Sequence, residues 1–188
     1  MKILLTGATG YIGKRLLPVL IREGREVVCC VRDSDRFKVS NALQDKVTVI
    51  ENDLLDYESL TNIPKKIDGA YYLVHSMSAS KNYQSLEQMS AINFRNALND
   101  TNVKHVVYLS GIVNESELSD HLESRRMVEM ELSKGNYKFT TLRAGIIVGS
   151  CYGAPGRRCE GRATIRPRTS YGQTAVVGYK FCCGFSDV

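Results

Sequence analysis

The chain has 188 residues, of which 43% are hydrophobic and 24% charged, and its formal net charge is +5. These proportions are those of an ordinary globular protein, and the length suits one domain with a full core. No apolar run approaches the ~20 residues that cross a bilayer, and the N-terminus lacks the architecture of a signal peptide. We therefore expect a cytoplasmic protein without a membrane span.

The excess of positive charge lies at the C-terminal end of the chain. Residues 151–188 contain six Lys or Arg and two acidic residues, whereas residues 1–150 contain 19 basic and 18 acidic residues. The first 150 residues therefore carry no strong basic excess, and we predict no nucleic-acid partner. The six cysteines form no CxxC pair and have no regularly spaced histidines, so we expect reduced thiols and no metal site.

The first segment combines an apolar strand with a glycine-rich turn in the spacing TGxxGxxG. The first glycine permits the sharp turn, the second lets the backbone approach a phosphate, and the third lets the following helix pack against the strand. The N–H groups at the start of that helix then face an anion. We prefer this interpretation to a purely structural turn. The predicted pyrophosphate site comprises Thr6, Gly7, Thr9, Gly10, Tyr11, Ile12 and Gly13.

Strands and helices alternate along the rest of the first 150 residues. The predicted strands are Lys2–Leu5, Glu26–Val31, Val47–Glu51, Gly69–Val74, His105–Ser110 and Thr140–Val148. The predicted helices are Tyr11–Arg22, Asp35–Leu43, Tyr57–Thr61, Ser85–Leu98 and Asp120–Ser133. Most strands are continuous apolar runs, which is typical of strands buried on both faces. The pattern predicts an α/β protein with a doubly wound parallel sheet, the Rossmann fold.

The end of the second predicted strand indicates which dinucleotide binds. NAD-specific Rossmann proteins carry there an acid that binds the ribose hydroxyls, whereas this chain has Val31 followed by Arg32, with Arg36 one helical turn further. A guanidinium at this place forms a charge-assisted pair with the 2′-phosphate of NADP. We therefore predict NADP in preference to NAD, although Asp33 is close enough to bind a ribose instead.

Polar residues follow three further strands. Asp53, beside Leu54, is placed to meet the adenine, although an ordinary Asx-turn acid is equally compatible with the sequence. Val74 ends the fourth predicted strand and His75 follows it, at the carboxyl edge of the sheet where open α/β folds bind ligands, and we predict that both line the cofactor site. Ser110 ends the fifth strand near the expected nicotinamide.

The helix at 85–98 carries a polar group within an apolar pattern. By helical spacing Leu86, Met89, Asn93 and Ala97 share one face. Asn93 therefore needs a hydrogen-bond partner if this face is buried.

Six features follow one another along the chain: TGATGYIG, the arginine after the second strand, NDL, YYLVHSM, YLSGI and TLRAGIIVG. As a set they resemble the extended and atypical, NmrA-like branch of the short-chain dehydrogenase/reductase superfamily. The likeness covers about residues 1–150. It implies an NAD(P)-binding Rossmann domain. It also implies cofactor contacts at Gly7, Gly10, Gly13, Arg32 and Asp53, and an active-site role for Ser110.

The chain departs from this family at the proton-transfer motif. Catalytic members carry YxxxK at the start of the helix after the fifth strand, where this chain reads His121-Leu122-Glu123-Ser124-Arg125. Histidine can shuttle a proton near neutral pH, and Arg125 is suited to holding the ribose, but an arginine does not lose its own proton. The catalytic candidates are therefore Ser110, His121 and Arg125.

Two functions from different classes remain compatible with the sequence. The first is an NADP-dependent reductase, dehydrogenase or sugar-nucleotide-epimerase-like enzyme that acts on an unknown small molecule with a nonstandard proton donor. The second is a non-catalytic NADP-sensing regulator of NmrA-like type that binds a protein partner.

The composition changes abruptly after residue 150. Residues 151–188 contain no Leu, Met or Asn, yet they hold six of the fifteen glycines and four of the six cysteines. We expect a weakly folded basic tail with one short strand at Thr174–Tyr179, and a substrate-binding C-terminal region that is missing or aberrant. A reading-frame change, a truncation and a divergent natural tail are all compatible with this shift.

Overall fold

Strands and helices alternate along the described part of the chain. The computed structural model describes residues 1–39, 41–75, 83–112, 120–145, 147 and 174–175, without the side chains at 41, 42, 120, 121, 174 and 175. The strands are β1 (Lys2–Thr6), β2 (Glu26–Val31), β3 (Val47–Glu51), β4 (Gly69–Tyr72), β5 (His105–Gly111), β6 (Lys138–Ala144) and β7 (Thr174–Ala175). The α-helices are α1 (Tyr11–Arg22), α2 (Tyr83–Asn99) and α3 (Asp120–Leu132), and 3-10 helices span Asn41–Lys46 and Glu58–Asn62.

All seven strands form one parallel sheet in the order β3-β2-β1-β4-β5-β6-β7. The chain winds from β1 through β2 to β3, then crosses to β4 and continues in the opposite direction. Such a reversal leaves a crevice between the carboxyl ends of β1 and β4, which is where open α/β folds bind their ligands. The predicted doubly wound Rossmann fold is confirmed.

The core lies on both faces of the sheet, because successive side chains of a strand point to opposite faces. In β1, Leu4 packs into the layer with Phe94 of α2, whereas Leu5 packs into the layer with Leu17 of α1. Both leucines are completely buried. This burial explains why the strands read as unbroken apolar runs.

An aromatic group fixes α2 on the sheet. The ring centroid of Tyr72 in β4 lies 5.1 Å from that of Phe94 in α2 and 5.8 Å from that of Tyr108 in β5. The Asn93 side chain on the same helix is buried, and its Nδ2 donates to the Leu54 carbonyl at 2.9 Å. The partner that the sequence requires for Asn93 is therefore present.

The helix predicted over Asp35–Leu43 is wrong. The described residues after β2 form a turn, in which Asp33 Oδ1 accepts the Arg36 N–H at 3.1 Å and the Ser34 carbonyl accepts the Phe37 N–H at 3.1 Å. These bonds close over three residues instead of the four of an α-helix. Regular structure begins at Asn41 as a 3-10 helix.

The predicted apolar face of α2 is also wrong in its first two turns. Leu86 and Met89 are 39% and 49% exposed. The buried stripe runs instead through Glu87, Ala91, Phe94 and Leu98, at spacings of four, three and four residues. The face of α2 that packs against the sheet and α3 therefore begins with the carboxylate of Glu87.

The C-terminal expectations fall mostly outside the described residues. This holds for the predicted boundary at residue 150 and for most of residues 151–188. The last predicted strand, Thr140–Val148, is wrong in its bounds, because β6 spans Lys138–Ala144 and the described Gly145 and Ile147 lie outside it. Two described residues pair with the sheet: Thr174 lies beside Thr141, and Ala175 beside Leu142. None of the helices in the described ranges has the length and apolar character needed to cross a membrane.

We expect Gly7→Ala to be much more destabilising than Gly24→Ala. Both glycines have left-handed backbone angles, with φ of +71° and +74°, so each substitution costs about 1–2 kcal/mol in strain. A Cβ at Gly24 meets no atom within 4 Å, whereas one at Gly7 lies 2.9 Å from the Leu73 carbonyl oxygen. Gly7→Ala should therefore lose a further ~1–3 kcal/mol of unfolding free energy in urea titrations. Equal losses would show that the turn is not tightly packed on the chain after β4.

Candidate functional site

The glycine turn after β1 brings three backbone segments into close contact. A Cβ at Gly7 lies 2.9 Å from the Leu73 carbonyl oxygen, one at Gly10 lies 3.2 Å from the Gly7 carbonyl oxygen, and one at Gly13 overlaps that same oxygen. Larger residues at Gly7 and Gly13 therefore require the backbone to move. The turn is therefore tightly packed against the chain after β4 and against the start of α1.

The N-terminus of α1 offers N–H groups to an anion. The helix begins after Gly10, with no side-chain cap and no acidic residue in its first turn. Thr9 and Tyr11 are exposed there, Ile12 is half-buried, and the Arg15 guanidinium lies 3.6 Å from the centroid of the Tyr11 ring. An uncapped helix start behind a glycine turn suits a phosphate, so this place fits the pyrophosphate of a dinucleotide.

Thr6 joins the turn to the neighbouring strand. Its hydroxyl donates to the Tyr71 carbonyl at 3.1 Å and accepts the Leu73 N–H at 3.2 Å. Its side chain is therefore engaged in holding β1 against β4, and it stabilises the position of the turn.

Charged groups of both signs lie after β2. Arg36 forms an ion pair with Asp33 at 2.9 Å, and Glu51 at the end of β3 accepts the Ser34 hydroxyl at 2.7 Å and its N–H at 3.1 Å. The Ser34 hydrogen bonds hold the pKa of Glu51 below its usual value. Arg32 is exposed and forms no ion pair with any described residue. The two arginines are therefore not equivalent, because Asp33 competes for Arg36.

The segment after β3 has a regular turn geometry. Asp53 is exposed, its Oδ1 accepts the Leu55 N–H at 3.0 Å, and its own N–H donates to Ser59 Oγ at 3.0 Å. The first of these bonds is that of an Asx turn, the alternative that the sequence leaves open. Leu54 is a core residue whose carbonyl accepts Asn93.

The ends of β4 and β5 carry the remaining predicted site residues. Val74 and His75 follow β4 and are half-buried. Ser110 lies in β5 on the same face as Tyr108 and is only 2% exposed. Its hydroxyl forms no hydrogen bond with a described residue, although it is near enough to Tyr108 to favour ionisation of that phenol.

Tyr108 does not replace the tyrosine of the missing YxxxK motif. It is completely buried, and burial raises its pKa well above the ordinary value, against the opposing effects of Ser110 and Arg125. Its hydroxyl donates to the Arg125 carbonyl at 3.4 Å. A buried neutral phenol bonded to backbone is a structural group.

Arg125 reaches the carboxyl end of β5. A Cβ at Gly111 lies 2.6 Å from Arg125 Nη1, so the guanidinium lies directly over that glycine, next to Ser110. Two of the three predicted catalytic candidates thus meet at one strand end. His121 lies in α3, but its side chain is outside the described residues.

A buried acid that the sequence analysis missed lies beside these residues. Glu87 of α2 is 8% exposed, and its Oε2 accepts the Ser124 hydroxyl of α3. Its Oε1 lies 3.8 Å from His75 Nδ1, and the His75 ring meets the Tyr108 ring edge-on, with centroids 6.4 Å apart. The helical spacing from Ala91, Phe94 and Leu98 was the signal that places Glu87 on the buried stripe.

We refer to these side chains as the polar cluster: His75, Glu87, Tyr108, Ser110, Ser124 and Arg125. It lies at the carboxyl ends of β4 and β5, on the side of the sheet covered by α2 and α3. It joins a titratable imidazole, a carboxylate, hydroxyls and a guanidinium, which are the groups that orient a substrate and transfer protons.

The two described cysteines are buried thiols. Burial raises the pKa of Cys29 and of Cys30 to about 12, so neither is a nucleophile near neutral pH. Cys30 Sγ donates to Asn52 Oδ1 at 3.5 Å. The described residues contain no cluster of three His, Cys, Asp or Glu that would hold a metal ion.

Known proteins with a similar sequence or fold include reductases and epimerases. The sequence matches the NAD(P)H-binding family over residues 7–148. Cinnamoyl-CoA reductase 1 of Petunia hybrida is 30% identical over 118 residues, which cover 58% of this chain and 35% of that protein. A nucleoside-diphosphate-sugar epimerase from Staphylococcus aureus aligns with a TM-score of 0.65 at 20% identity, over 77% of this chain and 50% of that one. The Citrobacter sp. triphenylmethane reductase complexed with NADP(H) aligns with a TM-score of 0.62 at 22% identity, over 77% and 49%.

The solved structures share the fold with this chain, which spans about half of their length and 35% of the length of the petunia reductase. The family match begins at the glycine turn and includes β2 to β6 with the polar cluster. The resemblance to atypical short-chain dehydrogenases/reductases is therefore confirmed at the level of the family, and this chain belongs to the NAD(P)H-binding family of Rossmann-fold proteins.

Proposed function

We propose that this protein binds NADP(H) along the carboxyl edge of its sheet and uses it in a reductase reaction on a small substrate. The observation that carries the proposal is the glycine turn, in which neighbouring backbone leaves no room for a side chain at Gly7 or Gly13, in front of the uncapped start of α1. A bound nicotinamide supplies or accepts a hydride. Binding, orientation and proton transfer are then the tasks of the protein's own residues.

The cofactor's parts are assigned to opposite sides of β1. The turn and the α1 N-terminus hold the pyrophosphate through Gly7, Gly10 and the N–H groups that follow. The adenosine lies toward β2 and β3, near Arg32 and Asp53, and the nicotinamide lies toward β4 and β5, near His75 and Ser110. The minor contacts in this proposal are Thr6, Thr9, Tyr11, Ile12, Gly13, Arg36, Leu54 and Val74.

The preference for NADP rests on Arg32. A charged, exposed guanidinium without an ion-pair partner among the described residues is available to the 2′-phosphate, whereas Arg36 is already paired with Asp33. The structure of the Citrobacter reductase in complex with NADP(H) supports this choice by analogy of fold.

A second function, NADP sensing without turnover, is favoured by one observation. The described residues provide no tyrosine that would replace the YxxxK tyrosine at β5, because Tyr108 is buried, neutral and bonded to backbone. Incubating the purified protein with NADPH and a series of carbonyl and quinone acceptors separates the two functions. NADPH oxidation above that of a Gly7→Ala variant supports the reductase, and NADPH binding without oxidation supports the sensor.

We expect Arg32→Ala to abolish the preference for NADPH over NADH. One charge-assisted Arg–phosphate contact contributes about 1.5–3 kcal/mol, so NADPH affinity should fall roughly ten- to a hundredfold while NADH affinity stays constant. Calorimetric titration of both cofactors measures this, with Arg22→Ala at the exposed far end of α1 as the matched control. Equal affinities in the wild type, or an intact preference in Arg32→Ala, would refute the assignment.

We expect Ser110→Ala to weaken NADPH binding without destabilising the fold. The buried hydroxyl forms no hydrogen bond with a described residue, so its removal breaks none of those that hold the fold. A lost neutral hydrogen bond to the cofactor corresponds to about a two- to tenfold increase in Kd. Ser133→Ala, which removes an exposed hydroxyl just after α3, is the control. His121→Ala tests the histidine that stands in the place of the YxxxK tyrosine. Unchanged NADPH binding in Ser110→Ala would remove that serine from the site.

A further inference from the structure

We propose that Glu87 positions His75 as the proton donor and acceptor of this site, by holding the neutral imidazole as its Nδ1–H tautomer. The inference rests on the proposed function for the ligand that reacts at His75. The tautomer of His75 does not depend on that function. Three strictly structural observations carry it: the burial of the carboxylate, its contact with Nδ1, and the place of the imidazole at the end of β4.

The carboxylate is built into the interface between two helices and the sheet. Glu87 is 8% exposed, and the Ser124 hydroxyl of α3 donates to its Oε2. A carboxylate removed from water requires such partners, since burial without them is strongly unfavourable. With Oε2 engaged by Ser124, Oε1 is the oxygen that lies nearest to the imidazole.

The imidazole lies beside this carboxylate. His75 Nδ1 lies 3.8 Å from Glu87 Oε1, and the ring packs edge-on against Tyr108. This separation is longer than a hydrogen bond, so the carboxylate acts through its negative charge, which favours a proton on the ring nitrogen that faces it. The neutral ring then carries its unprotonated nitrogen, Nε2, away from the acid.

The position of His75 is suited to chemistry at the crevice. It follows the carboxyl end of β4, beside β1, at the reversal of the sheet winding, and 24% of its side chain is exposed. A catalytic imidazole needs one nitrogen fixed by the protein and the other available to a ligand. His75 therefore meets the requirement that the absent YxxxK tyrosine leaves unfilled.

The proton balance of the step is simple. In the reducing direction, a reduced nicotinamide held near β4 and β5 would supply a hydride to a substrate carbonyl carbon, and the C–O π electrons would move to the oxygen. The substrate oxygen takes a proton from Nε2 of the His75 imidazolium, which gives an alcohol, the oxidised cofactor and a neutral imidazole. Nε2 then regains a proton from solvent.

Nitrogen-15 NMR of histidine-labelled protein tests the tautomer without any cofactor. The chain has three histidines, and His75→Gln assigns one signal set. At mildly alkaline pH, where imidazoles are neutral, wild-type His75 should carry its proton on Nδ1. Glu87→Met removes the acceptor at similar volume, so the proton should move largely to Nε2.

Matched controls show whether the change in the His75 tautomer is specific to Glu87 or follows the loss of any buried carboxylate. Glu131→Gln removes another largely buried carboxylate between α2 and α3, which contacts Arg95 and Lys134, and should leave His75 unchanged. His105, whose Nε2 lies 2.8 Å from Thr140 Oγ1, is an internal reference in every spectrum. An Nε2–H tautomer in the wild type, or an unchanged tautomer in folded Glu87→Met, would overturn the proposal.

Acylation by diethyl pyrocarbonate tests whether Nε2 is available. The reagent modifies accessible unprotonated imidazole nitrogens, so peptide mass spectrometry should find His75 modified in the wild type and less so in Glu87→Met. Protection of His75 by NADPH supports its place at the cofactor, and absence of modification would overturn the proposal. Failure of NADPH to bind would refute the proposed function separately, since the tautomer is measured without it.

Discussion

A backbone contact between the β1 turn and the chain after β4 determines where this protein can hold a ligand. Gly7 lies so close to the Leu73 carbonyl that a Cβ there would be 2.9 Å from its oxygen, and the Thr6 hydroxyl bridges the two segments just before the turn. The winding of the sheet reverses between these strands. Because the turn is held there, the N-terminus of α1 faces the crevice, and the residues after β2 and β4 lie on either side of it.

The buried carboxylate of Glu87 is best understood in relation to this crevice. Replacing a buried ionic group by an apolar side chain is often neutral or even stabilising, so stability alone is a weak reason for its presence. Its partners, Ser124 and His75, come from α3 and from the end of β4. An acid, an imidazole and a hydroxyl that meet at the ligand-binding edge are more economically explained by orientation of the imidazole.

Local patterns in the sequence predicted the sheet well. The apolar run of β2 gave this strand with its observed bounds, because a strand buried on both faces contains little else. The edge strand β3, VTVIE, is only half-buried and was recognised from its β-branched residues, also with its observed bounds. Asp35–Leu43 failed because side-chain and backbone bonds at Asp33 and Ser34 close a turn, which propensity alone does not reveal.

The glycine turn is predicted from one local motif, because its three glycines lie within seven residues. The polar cluster is different, because Glu87 and Ser124 are 37 residues apart and their pairing depends on how α2 packs against α3. Apolar spacing suggested that Leu86 and Met89 lie inside, and tertiary packing turned Glu87 inward instead.

The two ends of the proposed cofactor site differ in their physical character. Near β2, Arg32 and Glu51 are both exposed. Salt therefore screens the proposed contact of Arg32 with a phosphate and the bond between Glu51 and Ser34. Near β4 and β5, Glu87 and Ser110 are buried, and their contacts are largely shielded from ionic strength. Discrimination between cofactors should therefore depend on salt, whereas orientation of His75 should not. In the proposed site, these two tasks lie on opposite sides of β1.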